Sequence, residues 1–160
     1  MGNRQVKLLI NARDYLDAFV SLNELWIKKN FELELVDIEL AQNPSKIIDD
    51  GGYVFSLVLG NEVVGVCALF KDVNNTFQLA RMAVKDSFHG NGFGNLLMDA
   101  VFMKLKEVKA SSVTLLSNSK LTAAIFLYKK YGFEVTKIGP HPIYARVDIE
   151  MERSVTTCRI

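Results

Sequence analysis

The chain begins with an apolar run over residues 6–10 that predicts a first strand. The period then changes. Leu16, Phe19, Val20, Leu22, Trp26 and Ile27 recur at helical spacing, which predicts a helix with one apolar face, fraying near Asn30. Asn11 is a candidate cap for it, with Asp14 completing a near capping box. A shorter helical piece is expected over 36–41, broken by Asn43-Pro44. Beyond a Gly51-Gly52 loop, residues 53–59 and 63–70 read as strands joined at Gly60-Asn61, a hairpin signal. Asn74-Asn75 marks a turn, and 76–84 is a further strand of this meander.

The second half alternates differently. Residues 88–94 are rich in glycine, and a long helix follows to about Lys109, with Phe93, Leu97, Val101, Leu105 and Val108 on one face. Residues 113–116 form a short strand. A helix over 122–131 is capped from Ser119 or the neighbourhood of Lys120 and closed by Gly132. Strands over 133–138 and 144–151 flank a Gly-Pro-His-Pro loop. The order is β-α-α-β-β-β-α-β-α-β-β. Antiparallel strands followed by a strand-helix-strand crossover predict an α/β (α+β) mixed sheet with helices on both faces.

Composition narrows the class. The 160 residues carry no repeat or linker and are expected to form a single domain, 1–160. With 49% apolar and 23% charged residues the chain is globular rather than disordered. Nineteen basic residues stand against eighteen acidic ones, a net charge of +1, so no nucleic-acid partner is expected. Lys104, Lys106 and Lys109 suit a solvated helix end. No apolar run approaches the ~20 residues of a membrane helix and no signal core opens the chain, so the expectation is a cytoplasmic protein without a membrane partner. Cys67 sits in an apolar run as a small buried hydrophobe, and Cys158 makes no prenylation box. No CxxC or Cys/His cluster exists, so no metal site is expected.

The chemistry-bearing stretch is His89-Gly90-Asn91-Gly92-Phe93-Gly94, between a strand and a helix. A helix start offers unpaired N–H groups and a positive dipole end, and glycines let the chain wrap around an anion. Such a loop can cradle phosphate. It is not a P-loop, which needs Gly-Lys-Ser/Thr. It is not the dinucleotide fingerprint either, because Asn95 stands where the third glycine belongs. The loop alone also fits a plain glycine turn.

Two further blocks carry a resemblance. Arg81-Met82-Ala83-Val84 followed by the glycine loop resembles the acyl-CoA signature of the GNAT superfamily of N-acetyltransferases. Leu115-Leu116-Ser117-Asn118, Ala124 and Leu127-Tyr128-Lys129-Lys130-Tyr131-Gly132-Phe133 resemble its second block. More distantly, Trp26, Asp37, Pro44, Gly51-Gly52, Gly65 and Tyr144-Ala145-Arg146 are similar to a bacterial subgroup. The resemblance implies a mostly antiparallel sheet splayed between its fourth and fifth strands, with acetyl-CoA in the wedge and no metal. It implies that the backbone of Met82, Ala83 and Val84 pairs with the pantetheine arm and offers an N–H to the oxyanion. His89, Gly90, Asn91, Gly92, Phe93 and Gly94 would hold the pyrophosphate, Asn118 would contact the arm, and Tyr128 would protonate the departing thiolate. The acceptor would be the amine of a small molecule or peptide, and the family habit suggests a homodimer.

The chain departs from the pattern twice. His89 stands where the family usually has Arg or Gln. Gln78 stands where relatives often carry a Glu that acts as base through water, and an amide takes no proton at neutral pH. Glu34 or Asp37, in the acidic segment Glu32, Glu34, Asp37 and Glu39, is the alternative base, and that segment either attracts a cationic amine or is ordinary solvated charge. His141, Tyr144 and Arg146 lie in the late loop expected to border the acceptor. A CoA-sensing domain without turnover, favoured by Gln78 and His89, and a nucleotide binder of another class are the competing readings.

Overall fold

The computed structural model describes residues 5–155; Cys158 lies outside them. Its seven strands are β1 (Val6–Ile10), β2 (Tyr53–Leu59), β3 (Glu62–Lys71), β4 (Thr76–Val84), β5 (Ser112–Ser117), β6 (Glu134–Ile138) and β7 (Ile149–Ser154). They form one sheet in the order β1-β2-β3-β4-β5-β7-β6. Only β4 and β5 run parallel; every other pair is antiparallel. The helices are α1 (Leu16–Asn30), α2 (Leu35–Gln42), α3 (Lys46–Asp49), α4 (Phe93–Glu107) and α5 (Thr122–Lys130). None is long and apolar enough to cross a membrane.

The central strands are apolar on both sides because both sides are covered. On one face Phe55, Leu57, Leu69, Phe77 and Leu79 meet Leu97, Val101 and Leu105 of α4. On the other, Val54, Val66, Ala68 and Ala83 meet Leu16, Phe19 and Leu22 of α1 and Ile47 of α3. Each large side chain buried in this way contributes about 1.5–3 kcal/mol. Cys67 is fully buried in the first of these layers, and burial pushes its thiol up, so it stays protonated.

The sheet opens where the parallel pair should continue. The β4–β5 ladder runs from Thr76–Ser112 to Leu79–Leu115 and stops. Beyond it, β4 carries one extra residue against β3, between the pairs Ala68–Ala80 and Val66–Ala83. Arg81 sits in this bulge with φ of +61°. A bulge bends its strand and sharpens its twist. The end of β4 therefore leaves β5, which stays paired with β7 up to Ser117. This is the splay expected between the fourth and fifth strands.

Several local expectations change. Asn11 does not cap α1. Its own φ is +58°, and its Oδ1 accepts from Val54 N at 2.8 Å, closing the end of β1 onto β2. Neither Ser119 nor Lys120 caps α5: Ser119 N and Oγ donate to the Asp148 carboxylate at 2.7 and 2.8 Å, and Lys120 N donates to Asn118 Oδ1. Gly132 does close α5, with φ of +92° and Phe133 N donating back to Tyr128 O. The last strand starts at Ile149 rather than 144, because Arg146 and Asp148 are held in side-chain bonds and Val147 N turns back to Tyr144 O. The short α3 has too few residues to show a period.

Candidate active site

A cavity of about 550 Å³ occupies the opening between β4 and β5. β4 from Gln78 to Val84 forms one wall, including Met82 and Ala83; Ser117 and Asn118 stand opposite. The start of α4 closes one end. Residues from the end of α1 and from the loop before β7 close the other. Eleven of the twelve residues expected at the cofactor and catalytic positions from Gln78 onward line this space; Asn91 does not.

The glycine loop has the backbone shape that its composition implied. Gly90 and Gly92 have φ of +84° and +76°, and a Cβ at either would project into open space. Gly92 is the residue that enters α4 in left-handed conformation. The first N–H groups of α4 have no acceptor within the helix, and its dipole makes that end positive. Asn91 Nδ2 donates to Phe88 O at 2.9 Å, and the Phe88 and Phe93 rings stack at 5.9 Å, which together hold the loop's base. Gly94 lets helices meet: a Cβ there would lie 3.3 Å from Leu127 Cδ2. An open, N–H-lined concavity at a helix start fits a pyrophosphate.

His89 is exposed at the edge of the cavity. Its Nε2–H donates to Val84 O at 2.8 Å, on the strand end that borders the cleft. Asn118 is tethered on both sides of its amide: Nδ2 donates to Arg146 O and Oδ1 accepts from Lys120 N, each at 2.9 Å. Tyr128 is half-buried, edge-on to Phe133 with centroids 6.1 Å apart. Among the described residues its hydroxyl has no hydrogen-bond partner. Burial, with a smaller effect from nearby Cys67, pushes its pKa up to about 12. It is a hydroxyl that stays protonated and has a free donor at the cleft.

The acidic segment divides. Glu32 and Glu39 are exposed. Glu34 and Asp37 are bound to arginines: Arg146 reaches Asp37 with both Nη atoms at 2.7 Å and Glu34 Oε2 at 3.2 Å, and Arg81 Nη1 reaches Asp37 at 2.6 Å. Glu34 Oε1 also accepts from Ala145 N, and Asp37 Oδ2 from Glu34 N. Burial alone would raise the Asp37 carboxyl, but the bonds from Arg146 and the Glu34 N–H and the charge of Arg81 outweigh it and hold it below its ordinary value. Glu34 and Asp37 do not line the cavity; Gln78 does. His141 also stands outside it, its Nδ1 accepting from the N–H groups of Ile143 and Tyr144. Sequence reasoning did not show the Arg81 bulge or the four-residue ion cluster. Arg81, Asp37 and Arg146 were visible as residues, but nothing in their spacing shows that they meet.

Comparison with known proteins agrees with this geometry. Residues 50–135 match the family described as the acetyltransferase (GNAT) domain. The uncharacterized N-acetyltransferase YvbK of Bacillus subtilis is 28% identical over 79% of this chain and 84% of its own length. Among solved structures, a GNAT-family acetyltransferase from Staphylococcus aureus Mu50 superposes with a TM-score of 0.85 at 21% identity, covering 95% of this chain and all of its own. An aminoglycoside 6'-N-acetyltransferase complexed with coenzyme A superposes with a TM-score of 0.74 at 12% identity, covering 98% and 99%. At these identities the structures speak for the fold. The family match spans more than half of the sequence, and the chain belongs to the GNAT acetyltransferases, a family that transfers acyl groups from acyl-CoA to amines.

Proposed function

We propose that this chain, acting as one domain over residues 1–160, moves an acetyl group from acetyl-CoA to a primary amine. The observation that carries the reading is the cleft itself: parted parallel strands, a glycine cradle at one end and, on its wall, a protonated Tyr128 hydroxyl with no partner among the described residues. In this reading the backbone of Met82, Ala83 and Val84 faces the pantetheine arm, and the backbone of Gly90, Asn91, Gly92, Phe93 and Gly94 holds the pyrophosphate. Asn118 borders the arm. His89 acts indirectly, by engaging the Val84 carbonyl.

Acetyl-CoA supplies an activated thioester: the amine nitrogen bonds to its carbonyl carbon, the C–S bond breaks, and the thiol leaves. A backbone N–H of the bulged strand stabilises charge on the carbonyl oxygen. Tyr128 donates a hydrogen bond to the departing sulfur. With its pKa raised to about 12 it is a much weaker acid than a thiol of pKa ~8.5, so it stabilises the thiolate more than it protonates it. Glu34 anchors the loop before β7 through Ala145 and Arg146, and Gln78 orients the acceptor as a neutral amide. No side chain is assigned as base. The amine loses its proton to water, so the rate follows the acceptor's own titration.

The test is amine-dependent release of CoA thiol. Release that requires an amine and yields the N-acetyl product supports the reading. Acetyl-CoA binding without release from any amine, across a broad panel, would mean a sensor instead.

A further inference from the structure

We infer that the acceptor is a monoamine on an apolar, aromatic-sized body, and not a polycation; this rests on the acetyl transfer proposed above. The acceptor end of the cavity is roofed by Trp26, Ile27 and Phe31, with Tyr144 and Arg146 beside them. The roof is fastened to both sides of the splay. Lys29 pairs with Asp86, just past β4, at 2.8 Å, and Lys120, just past β5, donates to Asn30 O at 3.0 Å. Trp26 and Phe31, 6.0 Å apart, therefore span the opening as an apolar surface.

Charge points the same way. The charged or titratable groups on the lining, Tyr128 and Tyr144 aside, are Arg81, His89 and Arg146; no Asp or Glu lines it among the described residues. Asp37 is already bound to both of these arginines, and Glu34 to Arg146. Lys120 adds a positive charge at the rim. Aromatic faces can bind ammonium groups, but two of these three rings already carry a cation of the protein: Lys120 Nζ lies 4.1 Å from the Phe31 centroid, and the Arg146 guanidinium 5.1 Å from that of Tyr144. A second ammonium on the acceptor would be desolvated without a free counter-charge on the lining. A lone amine that reacts in its neutral form does not meet this obstacle, and its body gains by covering Trp26.

The experiment measures thiol release at saturating acetyl-CoA with phenylethylamine, tryptamine, spermidine and kanamycin, with calorimetry of acetyl-CoA alongside. The two aryl monoamines are expected to exceed the polycations in kcat/KM by about tenfold or more. Trp26→Ala should raise KM for phenylethylamine about tenfold while leaving KM for acetyl-CoA unchanged, and Trp26→Phe should restore most of it. If acetyl-CoA binds but spermidine or kanamycin is preferred, or none of the four amines reacts, the inference is overturned. If acetyl-CoA does not bind at all, the acetyl-transfer reading fails first.

Discussion

Arg81 Nη1 donates to Asp37 Oδ1 at 2.6 Å, and Arg81 is the one residue of β4 with positive φ. The side chains are 9% and 1% exposed, so this is a buried ion pair. It fastens α2 to the bulge that opens the sheet. A left-handed backbone costs a non-glycine residue on the order of 1–2 kcal/mol, and the ion pair ties the side chain of this residue to α2. The same carboxylate takes Arg146 in a two-pronged contact, so the loop before β7 is fixed to the same point.

Breaking this cluster at Asp37 leaves the buried Arg81 guanidinium without its carboxylate and Arg146 with Glu34 alone. Asp37→Asn is expected to destabilise the fold by about 3–5 kcal/mol, measured by chemical denaturation. Glu62→Gln, which removes the half-exposed partner of Lys85, should cost no more than about 1 kcal/mol.

The cluster also sets an acid limit. The folded Asp37 carboxyl titrates below its ordinary value of 3.8, so its stabilisation is complete above that value and is lost as pH falls through the lower folded one. Unfolding free energies of wild type and Asp37→Asn should differ by a constant amount from about pH 7 to pH 5 and converge below about pH 4. A gap that widens on acidification would contradict the sign.

Gly92→Ala tests the cradle. A Cβ there meets nothing, so the cost is the backbone's, about 1 kcal/mol of stability. Affinity for acetyl-CoA should fall about tenfold or more, because the N–H groups at the start of α4 lose their aim. Calorimetry of the variant beside Gly60→Ala, a hairpin glycine also at positive φ, separates the two effects.

Tyr128→Phe should lower kcat about 10- to 100-fold with acetyl-CoA binding little changed, at or below the usual range for a proton donor because a thiol leaves readily. Because its pKa is raised to about 12, the wild-type rate should rise with pH through the acceptor's titration and show no fall up to about pH 10. A loss of rate near pH 8 would assign the acid to another group.

Much of the fold could be read from apolar period alone. The bounds of β2 and β4, the buried face of α4 and the Gly132 stop follow from alternation, helical spacing and turn chemistry. What could not be read depends on contacts between distant residues. Asn11 looks like a cap until Val54 is known to lie beside it. The segment 144–148 alternates like a strand, yet Arg146 and Asp148 are drawn into side-chain bonds that end the pairing. The bulge at Arg81 leaves no local mark, since no glycine announces its positive φ. At the site, Gln78, Tyr128 and the glycine loop apart from Asn91 lie on one cavity. For the acidic segment, composition cannot show that Glu34 and Asp37 are paired with arginines.

The most direct test of the account is calorimetric titration with acetyl-CoA, with ATP as the control. The cleft described here predicts micromolar binding of acetyl-CoA, little binding of ATP, and acetyl-CoA binding about tenfold or more weaker in Gly92→Ala. Equal binding of both, or of ATP alone, would contradict the central claim and leave the glycine loop as a general phosphate site.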